Sequence, residues 1–532
     1  MSSASKYDGA SVPDQITVPA EVLARHGMRL LDPTSAVRDA DGERPLSTAY
    51  RPDTLLVPAG ELESLLPVDN DYNAALRGLG LELRRPEDAR WNELVAKVHP
   101  KLGVPARLVR SENRDADRAP DAWTALVALR EYFGDRNNLA RSNRAEAPRL
   151  GLDHLLMAAA DTQGTPYTGG GSVSGTGEIA LHTGDRNPVQ VLMELPARVA
   201  SAADLPIGRR PVVAVVDTGI GEHPWLPVDF PAGDPVVEVS QQFQDWLTDH
   251  ENNLIATTGA AIVPLSSPYE VRNEVQPLLG LTDSHAGHGT FVSGLIRQAC
   301  PDARILSLRM LHSDGFSTEG SVLIALEWLR QRAVAAQSDE SLRIDVVSLS
   351  LGFYPETTTP AKVTLVREAV ERLTALGVVV VAAAGNDATL RPFLPAAFGQ
   401  DNGLVAAVGA LNASGDTIAA FSNAGPWITR WAPGNALVST VPIWQGARGP
   451  MIAPQVNTLV EPWQRTSPDD DDLKTGFAMW AGTSFATPVV AGHVASVLLA
   501  NAALAKMSPT ERARNLLEKT DERLKARGWL VR

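Results

Sequence analysis

The sequence predicts an α/β protein in which a doubly wound, mostly parallel sheet is preceded by a small α+β domain. In the second half, short runs of Val, Ala, Ile and Leu are typical of strands that are buried on both faces. Longer segments with helical periodicity separate these runs, which is the alternation of a doubly wound sheet. The first half lacks this regularity and has short strand and helix patterns between polar, proline-rich stretches.

Residues 1–208 form the predicted α+β domain. Its strands are predicted at residues 54–58, 81–83, 106–109 and 189–195, and its helices at residues 20–24, 61–79 and 122–133. A Gly/Ser-rich segment at residues 169–177 is typical of a flexible loop and is also suited to serve as a processing site. We place the end of this domain between residues 165 and 208.

Residues 209–532 form the predicted doubly wound domain. Parallel strands are predicted at residues 212–216, 303–308, 344–349, 378–383 and 404–408, and helices at residues 286–300, 319–335, 362–376 and 483–500. A charged helix is predicted at residues 508–532, starting from a Ser-Pro-Thr-Glu capping sequence. Residues 227–282 have a mixed composition that indicates no particular structure, and residues 442–479 form a second long insertion.

Composition and charge exclude several classes of protein. The 532 residues are 44% hydrophobic and 21% charged, as expected of a globular protein with a large core. A net charge of −14 argues against nucleic acid and anionic membranes as partners. Because Cys300 is the single cysteine, an internal disulfide is excluded and a buried free thiol is expected. We expect a cytoplasmic protein, since the sequence shows no signal-peptide pattern and no apolar stretch of about 18 residues.

A Gly-Thr-Ser sequence at residues 482–484 begins the apolar helix predicted at residues 483–500. Backbone N–H groups in the first turn of a helix have no partner within the helix, so Ser484 would lie where the partial charge is positive. That environment suits a nucleophile whose attack generates an oxyanion. Pro488 is compatible with this position, because proline is tolerated near a helix start.

A serine nucleophile needs a general base, an acid that orients the base and a second donor to the oxyanion, and three further segments supply these groups. Asp217 ends a strand predicted to be buried, at the sheet edge where ligands bind in open α/β folds. His288 lies between two glycines, which allow other groups to approach the imidazole closely. Asn386 follows the strand at residues 378–383, where its amide would donate to a developing oxyanion.

In this order the motifs resemble those of the subtilisin family of serine proteases, whose triad runs Asp, His, Ser along the chain. The resemblance covers roughly residues 209–505. Its main motifs are Asp-Thr-Gly-Ile at 217–220, His-Gly-Thr at 288–290, Ala-Gly-Asn at 384–386 and Gly-Thr-Ser-Phe-Ala at 482–486. Each motif is short, but all of them in this order would rarely arise by chance. The resemblance implies a subtilisin-like, three-layer arrangement of the predicted sheet and helices.

The resemblance also implies a serine endopeptidase that cleaves peptide bonds through an acyl-enzyme intermediate. Ser484 would attack the scissile carbonyl, His288 would take and return the proton, and Asp217 would orient the imidazole. The Asn386 amide and the Ser484 backbone N–H would hold the oxyanion. This chemistry requires no cofactor. The strand that would pair with an extended protein or peptide substrate comprises Ser350, Leu351 and Gly352.

Other polar residues near these motifs have structural explanations. His285 lies three residues before His288, but only His288 is within a Gly-His-Gly-Thr sequence. His223 follows the aspartate motif, His493 lies within a predicted helix, and Asp283 would support the histidine loop. The presence of His288 argues against the related carboxyl-type serine proteases.

Four consecutive aspartates at residues 469–472 favour a solvated loop within the long insertion. The alternatives are a flap beside the cleft that repels acidic peptides, or a calcium site. Consecutive carboxylates lack the alternating ligand spacing of a dedicated calcium loop, so calcium is not assigned to particular residues.

The sequence leaves the role of such an enzyme open between general intracellular proteolysis, maturation of one peptide or protein, and regulated cleavage. Two further alternatives stay open at the level of sequence. The N-terminal region occupies the position of a subtilisin propeptide, but it is equally suited to an uncleaved recognition domain. The strand predicted at residues 189–195 favours the uncleaved domain, because little free chain then remains before residue 212. The second alternative is a catalytically silent scaffold that binds peptides. It is disfavoured because all three triad residues and the oxyanion asparagine are intact.

Overall fold

The computed structural model describes residues 16–111, 119–141, 144, 146–159, 187–189, 191, 193–228, 234–276, 281–444 and 475–531. Two segments singled out in the sequence lie outside these residues, namely the Gly/Ser-rich stretch at 169–177 and the aspartate run at 469–472. Most of the insertion at residues 442–479 lies outside them as well.

The N-terminal part alternates between short helices and strands. Its helices are α1 (Ala20–His26), α2 (Asp71–Leu76), α3 (Ala89–Val95), α4 (Ala122–Gly134) and α5 (Arg136–Arg141). Its strands are β1 (Arg29–Leu30), β2 (Ala49–Pro58), β3 (Leu81–Arg84), β4 (Gly103–Arg110) and β5 (Gly151–Ala158). A two-residue strand, β6 (Asn187–Pro188), follows.

The second part alternates between strands and longer helices. Its helices are α6 (Gln241–Thr258), α7 (His288–Ala299), α8 (Glu319–Ala335), α9 (Thr364–Thr374), α10 (Thr483–Ala500) and α11 (Pro509–Ala526). Its strands are β7 (Val212–Asp217), β8 (Val237–Val239), β9 (Glu274–Gln276), β10 (Leu281–Thr282), β11 (Arg304–Arg309), β12 (Phe316–Thr318), β13 (Val346–Leu349), β14 (Leu351–Gly352), β15 (Val379–Ala383), β16 (Val405–Leu411), β17 (Arg430–Pro433), β18 (Leu437–Thr440) and β19 (Phe477–Trp480).

A parallel sheet forms the core of the second part, with the strand order β17-β16-β15-β13-β7-β11-β8 in the described residues. Alternate residues of β7 point to opposite faces of this sheet. Val213 and Val215 lie in one buried cluster with residues of α7 and α10. Ala214 and Val216 lie in another with residues of α8 and α9. Helices therefore cover both faces, and the predicted three-layer, doubly wound α/β fold is confirmed.

Most predicted elements of this part agree with the structure. The helices α8 and α10 have the predicted bounds, and the five predicted parallel strands correspond to β7, β11, β13, β15 and β16. The C-terminal helix ends at Ala526, earlier than predicted, because the chain turns at Gly528 with φ of 79°. By length and composition α10 could cross a membrane, but 78% of its apolar window is buried inside the protein, as in a core helix. Cys300 is buried as expected, and burial raises the pKa of its thiol to about 12.

The strand predicted at residues 189–195 is not found in the described residues of that range, which are 189, 191 and 193–195. Asn187 and Pro188, just before them, pair with β19, and the backbone N–H of Val189 donates to the carbonyl of Phe477 at 3.2 Å.

An antiparallel sheet, ordered β5-β2-β4-β3, forms the N-terminal part, with α2 and α4 packed on it. The first half of β5 pairs with β2, but its second half pairs with β12 and β14 of the second part. The apolar core is also continuous, since Leu55 of β2 belongs to the same buried cluster as Leu323 and Leu365. The strand β5 thus runs from the N-terminal sheet into the second part of the protein.

Candidate active site

Four sequence-predicted residues meet at the carboxyl end of the parallel strands. Asp217 is the last residue of β7, and His288 is the first residue of α7. Ser484 lies in the first turn of α10, and Asn386 lies three residues beyond the end of β15. The topology of the sheet therefore gathers side chains that are far apart in sequence.

Asp217 and His288 are hydrogen-bonded and almost completely buried. Nδ1 of His288 lies 2.7 Å from Oδ1 of Asp217, which also accepts the backbone N–H of Thr218 at 2.7 Å. The close approach depends on glycine. A Cβ atom at Gly289 would lie 2.2 Å from the carbonyl oxygen of Gly219, which is closer than any packed atom tolerates. The arrangement fixes which ring nitrogen faces the carboxylate and leaves Nε2 for other chemistry.

Ser484 does not contact His288 through a hydrogen bond in this conformation. Its Oγ donates to the backbone carbonyl of Ser350 at 2.8 Å, and Oγ of Ser350 donates to the Ser484 carbonyl at 2.8 Å. Within the described residues, Nε2 of His288 has no hydrogen-bond partner. Trp480 and Phe485 pack against the imidazole, with ring centroids 5.5 and 5.2 Å away. The sequence did not indicate this direction of the serine hydroxyl.

Two N–H donors converge on one carbonyl oxygen, that of Ala159. The backbone N–H of Ser484 donates to it at 2.9 Å, and Nδ2 of Asn386 donates to it as well. The orientation of the Asn386 amide is set by Thr483, whose N–H and hydroxyl both donate to Oδ1 at 2.9 Å. These are the two donors that the sequence suggested for an oxyanion, and the oxygen that they bind belongs to the same chain.

The predicted substrate-binding strand is paired along its length with β5. The carbonyl of Ser350 accepts the N–H of Ala159 at 3.0 Å, and Leu351 and Gly352 pair in antiparallel register with Ala158 and Met157. On its other side, β5 pairs with β12. Residues 155–159 therefore occupy the position of an extended peptide between two strands. Sequence reasoning missed this segment, although residues 155–160 form an apolar run that would have marked a strand.

Buried charged side chains hold the first half of β5, just before the segment that lies between β12 and β14. Nε of Arg51 lies 3.2 Å from Oδ2 of Asp153, and both side chains are fully buried. The other carboxylate oxygen of Asp153 accepts the backbone N–H of Gly320 at 2.9 Å, near the start of α8. Asp153 thus links the N-terminal part to the second part. The next residue, His154, also links the two parts, through Glu319 and Glu356.

The other polar residues considered in the sequence make structural contacts. His285 bonds the Asp314 carbonyl at 3.0 Å through Nδ1. Asp283 accepts hydrogen bonds from Asn273 and Ser313, and burial raises its pKa. Burial lowers the pKa of His223 and of His493 to about 4, so both are neutral at neutral pH. In the part of the chain that is described, no group of three or more His, Cys, Asp or Glu is arranged to hold a metal ion.

Comparisons with known proteins agree with the motifs. Residues 208–530 match the profile described as Peptidase_S8, Subtilase family. The thermophilic serine proteinase of Bacillus sp. (strain AK1) is 33% identical over 33% of this chain and 37% of its own length. Subtilisin DY of Bacillus licheniformis is 30% identical over 29% of this chain and 54% of its own. Serine protease AprX of Bacillus subtilis (strain 168) is 27% identical over 55% of this chain and 58% of its own.

The chain thus spans between 37% and 58% of the length of these three curated relatives. Among solved structures, the crystal structure of a cold adapted subtilisin-like serine proteinase is 20% identical, with a TM-score of 0.35. That match covers 57% of this chain and 79% of the other.

Proposed function

The chain belongs to the subtilase family, and from this premise we propose that it is a serine endopeptidase whose first substrate is its own chain. The bond to be cleaved joins Ala159 to Ala160. The observation that carries this proposal is the pair of hydrogen bonds from Ser484 and Asn386 to the carbonyl oxygen of Ala159. Donors aimed at one carbonyl oxygen stabilise the negative charge that it develops when a nucleophile attacks.

The proposed reaction follows from the positions of the groups. After rotation of its side chain, Ser484 Oγ attacks the carbonyl carbon of Ala159, and Nε2 of His288 takes its proton. Asp217 stabilises the resulting imidazolium through the 2.7 Å hydrogen bond to Nδ1. Collapse of the tetrahedral intermediate breaks the bond to Ala160, whose nitrogen receives the proton from His288. Water then hydrolyses the acyl-enzyme by the same route, so these steps use only side chains, backbone groups and water.

This proposal departs from the uncleaved domain that the sequence favoured. That preference depended on a strand at residues 189–195, which the described residues do not form. After cleavage, the N-terminal part would stay bound through the continuous apolar cluster and the buried Arg51–Asp153 pair. Residues 155–159 would then block the cleft until the N-terminal part dissociates. Other protein or peptide substrates would bind in the same extended register, beside Ser350, Leu351 and Gly352.

A catalytically silent, peptide-binding protein is the second candidate. The observation that favours it is the hydrogen bond of Ser484 Oγ to the Ser350 carbonyl instead of to His288. Breaking this one hydrogen bond and turning one serine torsion would free Ser484 Oγ, however, and a scaffold does not need the buried Asp217–His288 hydrogen bond.

Intact-mass spectrometry of the wild type and of Ser484→Ala tests the proposal. The wild type should yield fragments 1–159 and 160–532, whereas Ser484→Ala should remain one chain. A fluorophosphonate probe should label the wild type at Ser484. As a control, Ser293→Ala removes another fully buried serine, which lies on α7, and should cleave as the wild type does. An intact, unlabelled wild type would establish the silent candidate. A Ser484-dependent cut at residues 169–177 instead would keep the endopeptidase and refute the Ala159 assignment.

A further inference from the structure

We propose that Glu270 is a positioning residue, which holds the start of α7, where His288 lies, against the strand end that carries Asp217. The inference rests on the endopeptidase function proposed above. Glu270 belongs to residues 227–282, the segment whose composition indicated no structure, and lies just before β9. It is part of neither the motifs of the family resemblance nor the proposed proton-transfer steps.

The carboxyl group of Glu270 contacts both sides of the Asp217–His288 pair. Its Oε1 accepts the backbone N–H of Gly287, the residue before His288, at 2.8 Å. Its Oε2 accepts the hydroxyl of Thr218, the residue after Asp217, at 3.2 Å. The Glu270 residue is only 5% exposed, so water competes little for these hydrogen bonds.

Thr218 extends this link to the other side of the imidazole. Its Oγ1 accepts the backbone N–H of Gly289 at 3.0 Å while it donates to Glu270. Both glycines that flank His288 are therefore tied, one to Glu270 and the other to Thr218. Gly287 caps α7 and Gly289 lies in its first turn. Because glycine is conformationally permissive, this pair of ties restricts the backbone on both sides of His288.

The backbone around Glu270 is itself fixed to the turn after β7. The N–H of Glu270 donates to the carbonyl of Ile220 at 2.9 Å, and the preceding residue, Tyr269, forms a β-bridge with Ile220. Arg309 donates to the carbonyl of Tyr269 at 2.7 Å. The carboxyl group is thus held by a supported backbone, which a positioning residue requires.

The electrostatic environment is compatible with this role. Gly287 caps the start of α7, and the N-terminus of a helix favours an oxygen acceptor. Burial raises the pKa of Glu270 to about 8, with Asp217 raising it further and Arg309 and the Gly287 N–H opposing the rise.

The test compares Glu270→Ala and Glu270→Gln with a matched control, Glu251→Ala. Glu251 is also a buried carboxyl of the same insertion that accepts a backbone N–H, that of Leu265 at 2.7 Å, and its other oxygen lies 3.0 Å from Nε2 of His312. Among the described residues, none of its hydrogen bonds reaches residues 217–220 or 285–290. Each protein is allowed to cleave itself and is then assayed on a small chromogenic peptide. Active sites are counted by complete labelling with a fluorophosphonate, and Tm is measured for each protein.

Glu270→Ala should lower kcat per labelled site by about 10- to 100-fold, as expected when reacting groups are misplaced by a fraction of an ångström, with KM changed less than about twofold. Glu270→Gln retains an acceptor for Gly287 and should recover most of kcat. Glu251→Ala should lower Tm without lowering kcat per labelled site. A folded Glu270→Ala protein that fails to cleave itself would be the extreme form of the expected result.

Wild-type kcat per labelled site in Glu270→Ala would overturn the inference, however far Tm falls. An equal loss of kcat in Glu251→Ala would also overturn it, since the effect would then be general. If Glu270→Ala does not fold, Thr218→Val replaces it in the test. This variant removes the hydroxyl that bridges Glu270 and Gly289, so it should lower kcat in the same way. An unchanged kcat in Thr218→Val would count against the inference. A wild type that neither labels nor hydrolyses peptide would instead remove the proposed function, and this inference with it.

Discussion

Nδ1 of His154 lies 2.6 Å from Oε2 of Glu319, the first residue of α8, and both side chains are buried where the N-terminal part meets the second part. The other ring nitrogen, Nε2, lies 3.0 Å from Oε2 of Glu356. Phe353 stacks on the ring, with centroids 4.4 Å apart. A single imidazole thus bridges two carboxylates of the second part, five residues before the carbonyl that receives the donors of Ser484 and Asn386.

We expect this bridge to make attachment of the N-terminal part depend on pH. Burial alone would lower the pKa of His154, but the hydrogen bonds and charges of Glu319 and Glu356 outweigh burial and raise the pKa from 6.5 to about 9. The stabilisation is therefore complete below about pH 6.5, where a free histidine is also protonated, and is lost as the pH rises through about 9. We expect His154 to favour attachment at neutral pH and to stop doing so in alkaline solution.

The measurement is dissociation of fragment 1–159 from fragment 160–532 between pH 6 and pH 10, by size-exclusion chromatography of the cleaved protein. His154→Gln keeps a polar side chain that does not titrate, so it should dissociate more readily at neutral pH and differ little from the wild type near pH 10. Parallel pH curves for the two proteins would show that His154 does not control attachment.

Asn386→Ala removes one of the two donors to the carbonyl of Ala159. We expect kcat on a small peptide to fall about 100- to 1000-fold with little change in KM, because such a donor acts mostly in the transition state. Thr483→Val should cause a smaller loss, since it leaves the amide in place and removes a hydroxyl that helps to orient it and that accepts the Gly385 N–H at 3.0 Å. A rise in KM with unchanged kcat in Asn386→Ala would show that the amide binds substrate without stabilising an oxyanion.

Gly289→Ala should damage both stability and activity. The added Cβ would lie 2.2 Å from the carbonyl oxygen of Gly219, a backbone atom that cannot move without shifting the turn after Asp217. Overpacking of this kind costs about 1–3 kcal/mol, so Tm should fall by several degrees and kcat with it. Gly403→Ala is the control, because no atom of the described residues, apart from its chain neighbours, lies within 4 Å of the position its Cβ would take. Equal Tm values for the two variants would mean that the chain around Gly289 relaxes freely.

The sequence by itself determined the central sheet and the chemical identities at its edge. Strands such as β7 are buried on both faces, so their apolar runs are visible without knowledge of their partners. Asp217, His288, Asn386 and Ser484 were recognisable because each lies in a short motif at the end of a predicted element. A local signal of this kind depends only on residues close together in the chain.

Only the tertiary structure decided what the edge of the sheet contacts. The apolar run before Ala160 is compatible with any core strand, and its place between β12 and β14 depends on pairing with strands more than 150 residues away. Glu270 lies in no recognisable motif. The two hydrogen bonds of its carboxyl group form only once the end of β7 and the start of α7 have come together. The direction of the Ser484 hydroxyl depends on its rotamer. The hydroxyl donates to the carbonyl of Ser350, which is close in space but 134 residues away in the chain. Contacts of this kind arise from long-range packing, which leaves no periodicity or spacing in the sequence to predict them.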